Sequence, residues 1–496
     1  MMKKQILILI FMVFLISSCE TNDLELSNPT AISTTTFPTN LEELKGGVNA
    51  TYSPLQTQGL YGRYLFYMYD YMGDDVQTER GTPDLLAFKN FTFRASNNDI
   101  FLYWKNAYIG VSRANFILDK QDNIAALDAG EVSQEMKDKF IGEAKFLRAY
   151  YYFLLVERFG DIPLYTPENL DPNGLPRTPK EEIYQLIISD LTDAGSKLLL
   201  KSEEEPGRAT KGAAYALLGK VHLFRGEYQE AKVAFNKVIN SGEYTLTTEY
   251  FDNFDSAHEN NSESVFEVQF VYDNGNPWGY AGWDGLDNGY VETTWRSAEY
   301  GAVGGFHNND PSEELVNEFE AGDPRLHASF YFAGDAYSSG TITQEQIGVG
   351  ISATWRKYQR SHTVSSDYSG LSDINHRAIR YADVLLMAAE AENEVGGNPV
   401  GLLNQVRTRA AMPLYGSADM NPTYPVTTSA EIFTAIVHER RVELAGEQTR
   451  FPDLLRWNMM SIIPAFQAGK HEVLPIPQTE IDTNLSINSS DQNTGY

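Results

Sequence analysis

Aromatic residues and glycines are concentrated in one short stretch of the sequence. Trp278, Trp283 and Trp295 are three of the six tryptophans, and Tyr290 and five glycines lie in the same stretch. Because glycine favours turns over buried helices, these rings are expected to be exposed. Exposed aromatic faces can stack on a flat apolar ligand surface, and Asp284 can accept hydrogen bonds from the same ligand. The alternative is a cluster of rings that packs a long loop.

The first residues of the chain have the pattern of a secretion signal. Two lysines precede an apolar run over 6–16, which is too short to span a bilayer, and the only cysteine, Cys19, follows two serines. We expect a lipoprotein signal peptide over residues 1–18 and a diacylglycerol thioether on Cys19. Residues 19–36 are polar and are expected to form a flexible tether. An ordinary secretory signal, in which the cysteine has no role, is the alternative.

The composition excludes several classes of protein. With 496 residues, of which 42% are hydrophobic and 21% charged, the chain is expected to fold around a substantial core. Its 67 acidic residues outnumber 39 basic ones, which gives a net charge of −28 and disfavours nucleic acid as a partner. A single cysteine allows neither an internal disulfide nor a multi-cysteine zinc site.

Most of the chain is expected to be helical, because apolar positions recur at helical spacing along most of its length. The best strand signal is at Ser264–Val271. The main predicted helices are Leu41–Leu55, Glu143–Phe159, Glu181–Leu200, Ala213–Phe224, Tyr228–Ile239, Arg377–Val395, Pro399–Ala411 and Glu431–Ala445.

Two helix pairs match the pattern of tetratricopeptide hairpins. Between Tyr215 and Val238, large, small and aromatic residues fall at the required offsets, with Gly219 where the helices touch and Gly226 in the turn. Residues 380–407 match more loosely. Such hairpins need neighbours to bury their apolar faces, so about three or four stacked pairs are expected. A plain helical bundle is the alternative.

The predicted fold is therefore mostly α, with tetratricopeptide-like hairpins forming a scaffold and a large loop-rich insertion. The scaffold covers about 37–249 and 372–496. Residues 250–371 are rich in Gly, Asn, Asp, Ser and aromatic residues and show weak helical periodicity, which indicates long ordered loops. Loops of this length usually carry function.

Several motifs occur in an order that resembles the SusD/RagB family of outer-membrane nutrient-binding lipoproteins. The longest is Glu143–Leu164, which reads EAKFLRAYYYFLLVERFGDIPL. The resemblance covers nearly the whole chain after the signal. The other motifs are Trp104–Asn115, Arg380–Glu392, Asn404–Ala410, Glu439–Glu447, Phe451–Trp457, Leu474–Asn484 and Gln492–Tyr496.

The resemblance implies a single domain over 37–496 that binds an oligosaccharide or polysaccharide at the cell surface. It further implies delivery of that glycan to a SusC-like TonB-dependent transporter, with a lipid anchor in the outer membrane and with neither catalysis nor a cofactor. The hairpins are implied to face the transporter and the loop-rich part to face the glycan. A peptide- or protein-binding import role is also allowed.

For a glycan ligand, the aromatic stretch would stack its rings on the flat C–H faces of sugars, and Asp284 would bind their hydroxyls. The resemblance also places contacts in a second arm, about 61–93, where Arg80 and Asn90 are candidates; tyrosines at helical spacing in this arm favour packing instead. The stretch from Trp278 to Trp295 contains no Lys or Arg, so a neutral glycan is expected. A laminarin-type β-glucan is the first choice, on resemblance alone.

Enzyme motifs for metal hydrolysis, nucleophilic serine chemistry and nucleotide binding do not occur in the sequence. We therefore expect no enzyme and assign no metal ligands. Calcium on an oxygen-rich loop such as Asp310–Glu314 stays an open alternative, although nothing there matches an EF-hand pattern. A carboxylate pair for glycoside hydrolysis stays an open alternative, because the sequence does not reveal the distance between two carboxylates. The charges of the Glu439–Glu447 motif recur at helical spacings that suit structural ion pairs.

The lipid anchor can be tested at the single cysteine. The variant Cys19→Ala should remain uncleaved or become soluble, because no other thiol can carry the lipid. Membrane fractionation and the mass of the mature protein measure this. Unchanged fractionation and mass would contradict lipidation at Cys19.

Overall fold

The computed structural model describes residues 35–78, 83–271, 292–301, 305–337, 340–348, 350–359 and 372–496. Within these ranges no helix combines the length and hydropathy of a membrane span. The α-helices are α1 (Leu41–Tyr52), α2 (Tyr64–Asp70), α3 (Pro83–Lys89), α4 (Asn98–Asp119), α5 (Gln121–Ala126), α6 (Gln134–Phe159), α7 (Lys180–Lys197), α8 (Lys211–Phe224), α9 (Tyr228–Ile239), α10 (Arg296–Tyr300), α11 (Glu313–Glu318), α12 (Pro324–Ser329), α13 (Gln344–Ile347), α14 (Tyr381–Val395), α15 (Pro399–Arg409), α16 (Ser429–Glu443), α17 (Arg450–Arg456) and α18 (Gln478–Thr483).

Strands are short and form antiparallel two-stranded sheets, in which β4 pairs with β10, β1 with β5, β2 with β3, β6 with β9 and β7 with β8. Single 3₁₀ turns and one π turn, at Gln58–Gly62, complete the elements. The strands are β1 (Val76–Gln77), β2 (Ile162–Pro163), β3 (Arg177–Thr178), β4 (Ser264–Val268), β5 (Asp310–Pro311), β6 (Phe330–Phe332), β7 (Ala336–Tyr337), β8 (Gly340–Thr341), β9 (Ala353–Trp355) and β10 (His376–Arg380).

Local chemistry sets the ends of the long helices. The Asn97 side chain accepts a hydrogen bond from the Ile100 amide at the start of α4, and Ser133 caps α6 in the same way. Helix α6 ends at Gly160, whose φ of 71° lies in the left-handed region that glycine tolerates. These caps satisfy amide groups that the helical hydrogen-bond pattern leaves free.

Helix α6 is the centre of the scaffold. It packs against α4 on one side and α7 on the other, and the stack continues through α8, α9 and α14. Most of its side chains are buried, which explains why the Glu143–Leu164 motif is apolar on nearly every face. Within that motif Arg148 pairs with Asp190 at 2.7 Å and donates to Asn115, so this charge joins neighbouring helices.

The predicted tetratricopeptide-like hairpins are confirmed. Helices α8 and α9 form one pair, and α14 and α15 form another. A Cβ added at Gly219 would lie 2.5 Å from a ring carbon of Phe235, so the two helices touch at this glycine. The predicted helix Arg377–Val395 is wrong at its start, because residues up to Arg380 pair with β4 and Arg377 forms an ion pair with Glu267 at 3.2 Å.

A buried network of ion pairs surrounds α16. Arg325 contacts Glu439 at 2.6 Å and Glu443 at 3.0 Å, and Arg380 contacts Glu443 at 2.6 Å and Glu447 at 2.7 Å. Burial raises the pKa of Glu443, but the arginines outweigh it and the pKa is lowered overall. The charges of the Glu439–Glu447 motif are structural, as predicted, although these partners lie on other elements rather than along the helix.

The hairpin contact gives a stability test. The variant Gly219→Leu should lower the free energy of unfolding by about 1–3 kcal/mol, because the added side chain overlaps Phe235. Gly46→Leu is the matched control, since Gly46 is exposed in α1 and a Cβ there meets nothing within 4 Å. Thermal unfolding measures both variants. Equal melting temperatures would show that the helices do not touch at residue 219.

Candidate functional site

The two arms predicted from the sequence meet in one face of the molecule. The Trp295 amide donates to the carbonyl of Gly62 at 3.0 Å, and the Thr294 hydroxyl donates to the carbonyl of Tyr61 at 3.2 Å. Strand β1 of the second arm pairs with β5 of the insertion. Segments more than 200 residues apart in sequence therefore pack together in one region, called here the convergent face: residues 61–63, 294–299 and 306–308, most of which are buried.

Most of the predicted site residues lie outside the described residues. They are Trp278, Trp283, Asp284 and Tyr290 of the aromatic stretch, Arg80 of the second arm and the lipidation candidate Cys19.

The described residues nevertheless fix where the aromatic stretch begins and ends. The Val271 amide donates to the carbonyl of Glu292 at 2.5 Å, so residues 272–291 leave and rejoin the structure at one point. The backbone groups of Thr294 and Ser372 also exchange two hydrogen bonds, as in an antiparallel β-bridge. Ser372 directly follows residues 360–371, which are outside the described ranges. The described residues that follow the two segments, Glu292 and Ser372, therefore both lie next to the convergent face.

Trp295 differs from the exposed platform that the sequence predicts. Its side chain is buried, with 4% of its surface exposed. The ring stacks on Phe306 at 6.1 Å, and the guanidinium of Arg63 lies 5.0 Å from its centre. The physical reason is the second arm, which covers a ring that an isolated loop would leave in solvent. In this arrangement Trp295 supports the face and does not offer a free stacking surface.

Arg63 is the residue of this face that sequence reasoning missed. Its guanidinium pairs with the buried Glu299 at 2.8 Å and donates to the Tyr67 hydroxyl at 3.0 Å. Burial alone lowers the pKa of Arg63, but Tyr67 and Glu299 raise it well above its ordinary value. An arginine flanked by tyrosines in the second arm was the available signal, but its partners Glu299 and Trp295 lie more than 200 residues further along the chain.

In the second arm, Asn90 is exposed, whereas Tyr67 and Tyr71 are buried. Asn90 is exposed just after α3, and its neighbour Phe91 packs against Phe451 and His471. The structure therefore places Asn90 beside the C-terminal part of the scaffold. Tyr67 and Tyr71 are buried, as their helical spacing suggests.

A buried carboxyl group lies behind the face. Burial raises the pKa of Asp70 to about 6, although hydrogen bonds from Tyr300, Gln448 and Asn309 oppose the shift. All three partners are structural neighbours, and Asp70 is 6% exposed, so the group is poorly placed to reach a ligand. In the part of the chain described, no group of three or more His, Cys, Asp and Glu side chains is placed to hold a metal ion.

These features define a class of protein in which a scaffold of helix hairpins presents a loop-built face for a ligand. The chain belongs to the SusD family, a family of glycan-binding proteins. The model described as "SusD family" matches residues 237–471, and a second, described as "Starch-binding associating with outer membrane", matches residues 24–223. The family resemblance of the sequence motifs is confirmed.

Relatives and solved structures agree with this assignment. The chain is 28% identical to SusD-like protein P25 of Formosa agariphila, over 99% of both chains. A SusD superfamily protein from Bacteroides vulgatus superposes with a TM-score of 0.74 at 26% identity, over 92% of this chain and 99% of that chain. A laminarin-binding SusD-like protein gives a TM-score of 0.74 at 27% identity, over 92% of this chain and 100% of that chain.

The Arg63–Glu299 pair gives a test of the convergent face. Arg63→Met should lower the free energy of unfolding by about 1–3 kcal/mol, because it leaves the carboxylate of Glu299 buried without its cation. The double variant with Glu299→Gln should lose less than the sum of the two single variants, since the stranded charge is gone. Urea denaturation of all four proteins measures this coupling. Strictly additive losses would contradict the ion pair.

Proposed function

We propose that the chain is a non-catalytic lipoprotein of the outer-membrane surface that captures a neutral oligosaccharide or polysaccharide. It delivers the glycan to a SusC-like TonB-dependent transporter. Capture requires a durable anchor, a ligand face and a scaffold that can contact the transporter. Cys19 supplies the anchor in this proposal, the aromatic stretch that ends at the convergent face supplies the binding surface, and the helix hairpins form the scaffold.

The observation that carries the proposal is the meeting of the two arms. The hydrogen bonds from the Thr294 hydroxyl and the Trp295 amide to the carbonyls of Tyr61 and Gly62 tie the end of the aromatic stretch to the second arm. Functional residues are commonly held on loops that a rigid scaffold positions. A ligand bound by residues 272–291 therefore also lies within reach of the second arm.

Within the aromatic stretch, Trp278, Trp283 and Tyr290 are proposed to stack on sugar rings, and Asp284 is proposed to bind hydroxyl groups. Trp295 is not proposed to stack on a sugar, since its ring is covered by Phe306 and Arg63. It holds the base of the stretch in place. Arg80 and Asn90 remain candidates for contacts at the edge of a longer glycan.

The ligand class follows from charge and from one relative. The stretch from Trp278 to Trp295 has no Lys or Arg, and the whole chain has a net charge of −28, so a polyanionic glycan would be repelled. The laminarin-binding SusD-like protein, 27% identical to this chain, supports a β-glucan of laminarin type as the first ligand to test.

Tryptophan variants test the proposal. Trp283→Ala should weaken laminarin binding by about 1–3 kcal/mol through the loss of one stacking surface, with little change in melting temperature. Trp295→Ala should instead lower the melting temperature, because it opens a cavity against Phe306 and Arg63. Trp457→Phe is the control, since Trp457 lies on the scaffold and hydrogen-bonds Glu390. Calorimetric titration and thermal unfolding measure the three variants.

Two outcomes would count against the proposal. Unchanged binding in a folded Trp283→Ala protein would remove this ring from the ligand site. Release of new reducing ends from laminarin would show catalysis and overturn a purely binding role. If the wild-type protein does not bind laminarin, a glycan array on the lipid-free protein identifies the ligand, and binding to peptides alone would contradict glycan capture.

A further inference from the structure

An apolar groove runs along the exposed side of α4, away from the convergent face. Its volume is about 600 Å³. Its floor is aromatic, since the Trp104 ring lies 4.9 Å from Tyr108, which meets Tyr165 edge-on at 5.8 Å. Its rim carries Phe116, which is 37% exposed, and Leu170, which is 66% exposed. Large apolar side chains left together at a surface indicate that another segment covers them.

The described chain begins at one end of this groove. The side-chain amide of Asn123, which follows α4, donates to the carbonyls of Phe37 at 2.8 Å and Thr35 at 3.2 Å. The Phe37 ring is buried and lies 5.2 Å from Phe116 on the groove rim. Thr35, where the described residues begin, therefore lies near the Phe116 end of the groove.

The sequence before Thr35 has the chemistry that the groove requires. Leu24 and Leu26 are separated by one acidic residue, so in an extended segment both leucines face the same side and Glu25 faces the other. Lys105, Asp119 and Glu480 are the charged residues that line the groove. The second family match begins at residue 24, so the family pattern extends through this segment and is not confined to the helical body.

The length of residues 24–34 also matches the length of the groove. From Phe101 to Asp119, the two ends of the groove along α4, the helix rises by about 27 Å at 1.5 Å per residue. Residues 24–34 in extended form span about 33 Å at roughly 3.3 Å per residue. The segment is long enough to run the whole groove.

We propose that residues 24–34 bind in the α4 groove, with Leu24, Leu26 and Ile32 against its aromatic floor. The tether then shortens from 19–36 to 19–23, about 16 Å when extended. With a lipid on Cys19, the α4 side of the scaffold is held close to the membrane. This consequence rests on the proposed lipid anchor, whereas docking in the groove does not.

Disulfide trapping tests the contact. The lipid-free protein that begins at Glu20 contains no cysteine, so each engineered pair is the only source of a disulfide. Ser112→Cys, on the groove, is combined in turn with Ser27→Cys and Thr30→Cys. At least one pair should close within the monomer more than tenfold faster than the same cysteines combined with Thr192→Cys, which is exposed on α7. Equal rates, or disulfides only between two copies, would overturn the proposal.

Footprinting gives an independent readout in the same lipid-free protein. In the Glu20 protein, replacing Leu24→Asp and Leu26→Asp together should increase hydroxyl-radical labelling of Phe116 and Leu170 at least threefold. The control pair Thr21→Asp and Asn22→Asp lies outside the docking segment and should leave labelling unchanged.

Unchanged labelling in the leucine variant would contradict docking. Thermal unfolding confirms that both variants are folded. Laminarin titration of the same samples separates this test from that of the proposed function, because the groove and the convergent face are different surfaces.

Discussion

Buried arginine–glutamate ion pairs around α16 hold the loop-rich insertion to the helical scaffold. Glu443 contacts Arg325 at 3.0 Å and Arg380 at 2.6 Å, and also pairs with Arg409. These three arginines lie on α12, β10 and α15, so Glu443 joins three separate elements to α16. Buried charged groups need partners of opposite charge, so removing one partner leaves the other charge buried and unpaired. The network therefore favours one arrangement of these segments over all others.

The loop that follows α16 also positions the convergent face. The chain that continues from α16 offers the carbonyl of Gly446 and the side chain of Gln448 to Arg296 at 2.9 Å. Arg296 follows Trp295 directly, and Gln448 also donates to Asp70 of the second arm at 2.7 Å. Both arms of the convergent face are thereby tied to one loop after α16. A rigid base of this kind can carry loops of varied sequence, which suits a family with different glycans.

Local sequence patterns determined the helical scaffold. The small residue at Gly219 and the large one at Phe235 predicted a hairpin contact, because close helix packing needs a residue without a side chain opposite a ring. The order of motifs predicted the family. The absence of Lys and Arg from the aromatic stretch set the expected ligand charge. These properties depend on neighbours a few residues apart, so the sequence alone contains them.

Tertiary structure decided how the site is assembled. The glycine-rich sequence around Trp295 predicts an exposed ring, but Arg63 and Phe306 cover this ring in the structure. Residues 377–380 have helical spacing, yet they form a strand because β4 lies alongside. In each case the deciding partner is distant along the chain. Periodicity records only which face of an element is apolar, whereas burial and ion pairing depend on which distant segment packs against that face.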